Sequence, residues 1–224
     1  MIKGVIFDMD GLMLDTEKLL MRFWIESAKE HGFDMTREHV LSIRSLAGKY
    51  ASPKLQKIFG ESFDYTAVRQ RRIELMNAFI KENGVEKKPG LDSLLEYLRK
   101  NGYKIAVATA TDKERAYMYL TSVGVWDYFD EFVCNAMVEN GKPAPDIYLK
   151  ACEVLKLSPD ECVALEDSPN GITSAYNAGC LPVMVPDLSQ PDEEISRLLY
   201  KKIDTLDCLI DVLEAENKEF NKKF

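Results

Sequence analysis

Five short runs of the chain are apolar at every position: residues 5–7, 105–108, 132–134, 162–165 and 182–185. None of them alternates with polar residues. Strands that are apolar on both faces belong in a parallel sheet covered by helices. Between the runs, apolar residues recur at helical spacing. Residues 91–101 carry Leu94, Leu95 and Leu98 and stop at Gly102; residues 112–123 open on Asp112, an N-cap residue, and stop at Gly124. Residues 146–157 and 170–178 continue the alternation. Strand and helix taking turns in this way predict a Rossmann-like, doubly wound α/β fold.

One interval breaks the rhythm. Roughly a hundred residues separate Asp8, at the end of the first run, from Lys104, at the start of the second, where a crossover needs one helix and two short loops. Most of the interval has a helical pattern. Residues 16–30 hold Leu19, Leu20, Phe23, Trp24 and Ala28, and residues 65–81 hold Val68, Leu75, Met76 and Phe79. The economical reading is an inserted helical cap domain at 16–83 on an α/β core made of 1–15 and 84–224. Its hinges are expected at 14–16 and 82–90. The tail after Leu213 is charged and is expected to fray.

Composition narrows the class without changing this picture. The 224 residues are 46% hydrophobic and 29% charged, enough for a sizeable core, and the net charge of -8 disfavours nucleic acid or an anionic membrane as partner. No stretch is long and apolar enough for a membrane span, and the first residues do not read as a signal peptide. Cys134, Cys152, Cys162, Cys180 and Cys208 are odd in number and widely spaced, without a CxxC pair or a histidine cluster. They read as reduced thiols of a cytoplasmic protein rather than zinc ligands. His31 and His39 have no metal-ligand partners and are expected at exposed helix ends.

The polar residues at the ends of the apolar runs carry the chemistry. Asp8 and Asp10 lie two apart, in Asp8-Met9-Asp10-Gly11, so they share a face of the first strand. Two carboxylates there repel each other unless a cation or a shared proton intervenes. The second run ends in Thr109-Ala110-Thr111, hydroxyls and amides just before a helix, a place for phosphate. After the third comes Gly141-Lys142-Pro143, where extended backbone before a proline aims the ammonium. The fourth ends in Glu166-Asp167-Ser168. Adjacent acids closing a buried strand need a partner, and Mg2+, which prefers hard oxygen ligands, is the natural one. All of these lie at carboxyl ends of strands, the ligand edge of a parallel sheet.

In this order the residues resemble the four motifs of the haloacid dehalogenase-like (HAD) hydrolase superfamily, in the branch of β-phosphoglucomutase and small-metabolite phosphatases, over residues 2–187. That family places a helical cap after its first motif. The resemblance implies Asp8 as nucleophile, forming an aspartyl-phosphate, and Asp10 as general acid and base. It implies Thr109, the Ala110 amide and Lys142 as phosphate-binding groups. Magnesium is implied on Asp8, the main-chain carbonyl of Asp10 and Asp167, with Glu166 as a further ligand or acting through a water.

The same resemblance narrows the substrate. Asp10 argues against dehalogenase and phosphonatase chemistry. Residues 46–51 look like the substrate-specificity loop, which puts Gly48 and Lys49 forward; Arg71 and Arg72 on the long helix are further candidates for a second anionic group. β-Phosphoglucomutases bring an arginine where a gapless comparison puts Ala51, and a histidine where this chain has Leu20. Both departures favour phosphatase over mutase. Glu17 resembles the sugar- and polyol-phosphatase members. The expected activity is hydrolysis of a small phosphorylated metabolite, a sugar or polyol phosphate, by a monomer or weak dimer. A sugar-phosphate mutase is the alternative, and a binding protein that lost the chemistry a remote one, since Asp8, Asp10, Lys142 and Asp167 are all present.

Overall fold

A computed structural model describes residues 1–221, with side chains to Lys218. Its strands are β1 (Gly4–Phe7), β2 (Lys104–Thr109), β3 (Glu131–Cys134), β4 (Cys162–Glu166), β5 (Leu181–Met184) and β6 (Lys201–Lys202). They form one parallel sheet in the order β3-β2-β1-β4-β5-β6. The first five are the five apolar runs. The sixth escapes the pattern because it is two exposed lysines, the kind of short charged edge that discourages further pairing.

The helices are α1 (Glu17–Glu30), α2 (Arg37–Leu41), α3 (Gly48–Phe59), α4 (Tyr65–Asn83), α5 (Leu91–Lys100), α6 (Lys113–Ser122), α7 (Asp146–Leu155), α8 (Pro169–Asn177), α9 (Glu193–Ser196) and α10 (Leu209–Asn221). Successive strand side chains point to opposite faces, and both faces are covered. Val5, Phe7, Ile105, Val107, Val163 and Leu165 pack with α5, α6 and α10. Ile6, Ala106, Ala108 and Ala164 pack with α7 and α8. The second face is lined by small residues, which lets α7 lie close to the sheet.

Between β1 and α5, helices α1 to α4 enclose an apolar cluster of their own: Trp24, Ala28, Met35, Val40, Ile43, Ala51, Leu55, Phe63 and Val68. The entering and leaving segments run side by side. The Asp15 N–H donates to the Glu86 carbonyl (2.9 Å) and the Lys88 N–H to the Met13 carbonyl (2.8 Å). Helix α3 has no clear sequence signal, since Pro53 lies inside it.

The tail differs from expectation as far as residue 221; residues 222–224 lie outside the described residues. Helix α10 continues past Leu213 to Asn221, because Leu209 and Leu213 are fully buried and the Asn217 amide donates to the Tyr103 hydroxyl (2.9 Å). All five cysteines are free, and four are buried. Among the described residues no helix is long and apolar enough to cross a membrane.

Candidate active site

Strands β1 and β4 pair in register at Phe7 and Leu165, so Asp8 and Glu166 leave the sheet side by side. The strand order reverses between these two strands, which opens the crevice where parallel sheets bind ligands. Asp8, Glu166 and Asp167, all buried, each bring a carboxylate oxygen within 4.8 Å of the others.

Lys142 holds this cluster from beneath. Its ammonium donates to Asp8 Oδ1 (2.5 Å), Glu166 Oε1 (2.6 Å) and the Ala108 carbonyl (3.0 Å), using all three of its protons. The peptide bond from Lys142 to Pro143 is cis. The first turn of α7 then brings Tyr148 back, and its hydroxyl donates to Glu166 Oε1 (2.7 Å). The Ser168 hydroxyl donates to Glu166 Oε2 (3.2 Å) and also caps α8 by accepting from the Gly171 N–H (3.1 Å). A side chain at Gly171 has no room: its Cβ would lie 1.9 Å from Glu166 Cδ.

The α2–α3 segment reaches the same cluster through Arg44. Its guanidinium donates to the Asp167 carboxylate, and its Nε lies 3.4 Å from Glu17 Oε2. The Asn170 amide donates to the Arg44 carbonyl (2.8 Å). Gly11 makes room here: its φ is +83°, and a Cβ would lie 2.1 Å from Asp167 Oδ2.

Charge does not balance in this buried set. Among the described residues, the four carboxyl groups of Asp8, Glu17, Glu166 and Asp167 face two cations, Lys142 and Arg44. Burial pushes the Asp8 and Asp167 carboxyls well above their usual range, against the pull of Lys142 on the first and Arg44 on the second. The Lys142 ammonium is held above its ordinary value; burial opposes this, but Asp8 and Glu166 prevail. Asp167 Oδ1 is buried without a hydrogen-bond partner among the described residues. A buried oxygen cluster with more acids than cations, and with one oxygen orphaned, fits a divalent cation of magnesium's type.

Asp10 stands apart from the cluster. Its Oδ1 accepts from the Thr16 hydroxyl (2.8 Å) and its Oδ2 from the Thr111 hydroxyl (2.7 Å). It opens onto a cavity of about 370 Å³ that lies between helices α1–α4 and the sheet edge and also touches Glu17, Ala110 and Thr111. Thr109 is buried beside it, its hydroxyl oxygen accepting from the Thr111 N–H (3.1 Å).

The other candidates from the sequence divide. Gly48 and Arg72 line the cavity. Lys49 does not: its ammonium bonds the Glu139 carbonyl (3.3 Å) and the Asn140 side chain. Arg71 also points elsewhere, pairing with Glu30 (2.6 Å) and Glu74 on the outside of α4. The buried face of α4 runs Val68, Arg72, Met76, Ile80, and Arg71 lies one residue off it. Trp24, expected in the helical core, does belong to that core and also lines the cavity. His31 caps α1 and His39 sits in the capping box of α2. Sequence reasoning missed Arg44, Tyr148 and the hydroxyl of Thr16; Thr111 was visible as a hydroxyl before a helix, though without its partner.

Glu17 gives this site a pH signature. Burial, first, pushes its carboxyl from 4.5 up to about 8, with Arg44 pulling the other way and Asp10, Asp8 and Asp187 adding to the rise. The folded protein therefore holds a proton here that the unfolded chain has released. The stability this group contributes is complete below its ordinary value and is lost as pH rises through about 8. In chelator-treated protein, Glu17→Gln should lose less melting temperature than the unmodified chain between about pH 6 and about pH 9. Equal losses would remove Glu17 as the source.

Comparison with known proteins gives a consistent picture. The profile of the haloacid dehalogenase-like hydrolase family matches residues 5–185. The chain is 32% identical over 183 residues to a phosphorylated carbohydrates phosphatase of Thermotoga maritima, covering 80% of this chain and 82% of that protein. It is 34% identical over 197 residues to hexitol phosphatase A of Escherichia coli, covering 85% and 88%. Among solved structures, CbbY from Rhodobacter sphaeroides in complex with phosphate superimposes with a TM-score of 0.79 at 26% identity, over 92% of this chain and 96% of that one.

Proposed function

The chain belongs to the haloacid dehalogenase-like hydrolases, and from that membership we infer a magnesium-dependent phosphatase that hydrolyses a small sugar or polyol phosphate through an aspartyl-phosphate. The observation that carries the reading is Asp8 at the end of β1, bonded to Lys142 and clustered with Glu166 and Asp167. Residues 16–83 act as a cap over a core made of 1–15 and 84–224; the separate apolar cluster of α1–α4 and the paired linkers support that division. Free thiols fit a cytoplasmic enzyme, and we take it to work as a monomer or weak dimer.

A carboxylate approaching a phosphate meets repulsion: two unit charges about 4 Å apart interact by roughly 4 kcal/mol at an effective dielectric of about 20, and a dianion doubles this. Lys142 offsets part of it from below. Asp8, Asp167 and the Asp10 main-chain carbonyl would hold the magnesium, with Glu166 next to it. The bound ion would supply positive charge beside the phosphoryl oxygens.

An Asp8 oxygen attacks phosphorus, and the bond from phosphorus to the ester oxygen breaks. The Thr109 hydroxyl and the Ala110 N–H bind the oxygens that are not transferred. Asp10, oriented by Thr16 and Thr111, gives its proton to the leaving alcohol. It then takes a proton from water as that water attacks the aspartyl-phosphate, which frees phosphate and restores Asp8. Ala51 is buried in the cap cluster and Leu20 offers the cavity no hydrogen-bonding group, so neither supports the mutase alternative.

The test is phosphate release from a panel of sugar and polyol phosphates, with and without magnesium. Metal-dependent release is expected; none from any phosphoester by metal-loaded protein refutes the reading. Asp10→Asn should lower kcat by about 10²–10⁴-fold. Its magnesium affinity, measured by calorimetry, should stay near that of the unmodified protein, because the exchange leaves the main-chain carbonyl in place. A large loss of affinity would reassign Asp10 as a side-chain ligand.

A further inference from the structure

The cavity holds more positive charge than its acids engage. Arg44, Arg69, Arg72 and Arg115 all line it, in a chain whose net charge is -8. Arg44 is held by Glu17 and Asp167. Arg115 uses its Nε on Asp112 Oδ2 (2.6 Å). Arg69 and Arg72 have no carboxylate partner among the described residues.

Arg72 is the telling one. It is only 7% exposed, and its Nε is buried without a hydrogen-bond partner among the described residues. Its guanidinium lies 5.3 Å from the Trp24 ring centroid, and among the described residues its Nη1 meets only the Met76 sulfur (3.9 Å). A cation–π contact offsets part of the burial cost of a guanidinium but satisfies none of its donors in the plane. Burial first, then the neighbouring Arg115 and Arg69, lower its pKa to about 10, so it stays charged near neutrality. The two acids on the cavity wall cannot neutralise it by contact: Asp10 is bonded to two hydroxyls and Glu17 to Arg44. Three guanidiniums around one cavity repel each other unless an anion joins them, and the planar fork of arginine matches carboxylate and phosphate oxygens.

We propose that Arg69, Arg72 and Arg115 form a subsite for a second anionic group on the leaving portion of the substrate. Resting on the phosphatase reading, this deepens it. The preferred substrates are phosphoesters whose alcohol carries a carboxylate or a further phosphate, rather than neutral sugar or polyol monophosphates. The scissile phosphoryl group sits at the Asp10 and Ala110 end of the cavity, and the second anion reaches α4 and α6.

Matched pairs test this: glucitol 6-phosphate against 6-phosphogluconate for a carboxylate, and fructose 6-phosphate against fructose 1,6-bisphosphate for a phosphate. In at least one pair the anionic member should have a kcat/KM higher by about tenfold or more, or about 1.4 kcal/mol. The pair that shows it identifies the anion. Arg72→Gln and the half-exposed Arg69→Gln should each shrink that ratio by about tenfold; the second variant keeps the test valid if the first fails to fold. The same pairs titrated into Asp8→Asn protein should show the same order of Kd. If that protein discriminates while the unmodified chain hydrolyses nothing, the phosphatase reading falls and the subsite stands. Normal hydrolysis with no preference in either pair, or ratios unmoved by both arginine variants, overturns the subsite.

Discussion

Replacing Lys142 by methionine lowers both stability and turnover, each by a large factor. The ammonium is 1% exposed and is the only cation bonded to Asp8 and Glu166 among the described residues. Methionine fills much the same volume but leaves two buried carboxylates facing each other. Breaking a buried ion pair from one side costs about 3–5 kcal/mol. For a chain of this size that corresponds to a melting temperature lower by roughly 10 °C. Without Lys142 the Asp8 carboxyl, which burial already pushes up, loses the cation that pulls it down, so the loss of stability is small in acid and grows as pH rises. Magnesium should restore part of it, since a divalent cation answers the same excess of negative charge. Turnover should fall by about 10²–10³-fold, the scale for removing one preorganised donor from a transition state. Melting curves in chelator and in magnesium, with phosphate release on the same samples, check each part. A methionine variant as stable as the parent in chelator at alkaline pH would contradict the charge accounting.

The fold was legible because parallel strands buried on both faces leave a signal that needs no partner information. An apolar run that stops at Asp8, or at Glu166, marks the strand and the edge of the site at once. Once the sheet is parallel, all such edges fall on one side, and Lys142 arrives with them because it follows β3 by only a few residues. What the sequence hid are contacts made by helix faces and by the cap. Arg44 lies in the α2–α3 segment, which carries little periodicity, and nothing local says that it crosses to Asp167. Tyr148 reads as another apolar position of α7; its hydroxyl matters only because that helix packs against a sheet face of alanines. On α4 the signal was present but easy to miss. Val68, Met76 and Ile80 mark the buried face at multiples of four, and Arg72 falls on that line while Arg71 does not. A charged residue in register with buried apolar ones is the mark of a group aimed at a cavity, and Arg72 shows why the whole stripe should be read before choosing among neighbours.

The largest effect on activity belongs to Asp8→Asn. An amide oxygen has neither the charge nor the nucleophilicity to attack phosphorus, so no aspartyl-phosphate forms and turnover should fall by about 10⁴-fold or more, as when a covalent nucleophile is removed elsewhere. Stability should move little. Lys142 keeps Glu166 as partner, and the exchange removes one acid from a set in which the acids outnumber the cations. Burial already pushes the Asp8 carboxyl toward its neutral form, so a neutral side chain of the same shape is tolerated there. The variant thus separates chemistry from folding, which Lys142→Met cannot do. Acid-quenched reactions analysed by intact mass should show a phosphorylated species in the unmodified protein and none in the variant, and the modified peptide should be the one that contains Asp8. Melting temperatures of the two in chelator should agree within a few degrees, at roughly 2–4 °C per kcal/mol. An Asp8→Asn protein that still releases phosphate at the parent rate, in a sample free of deamidation back to aspartate, would remove Asp8 as nucleophile and with it the covalent route.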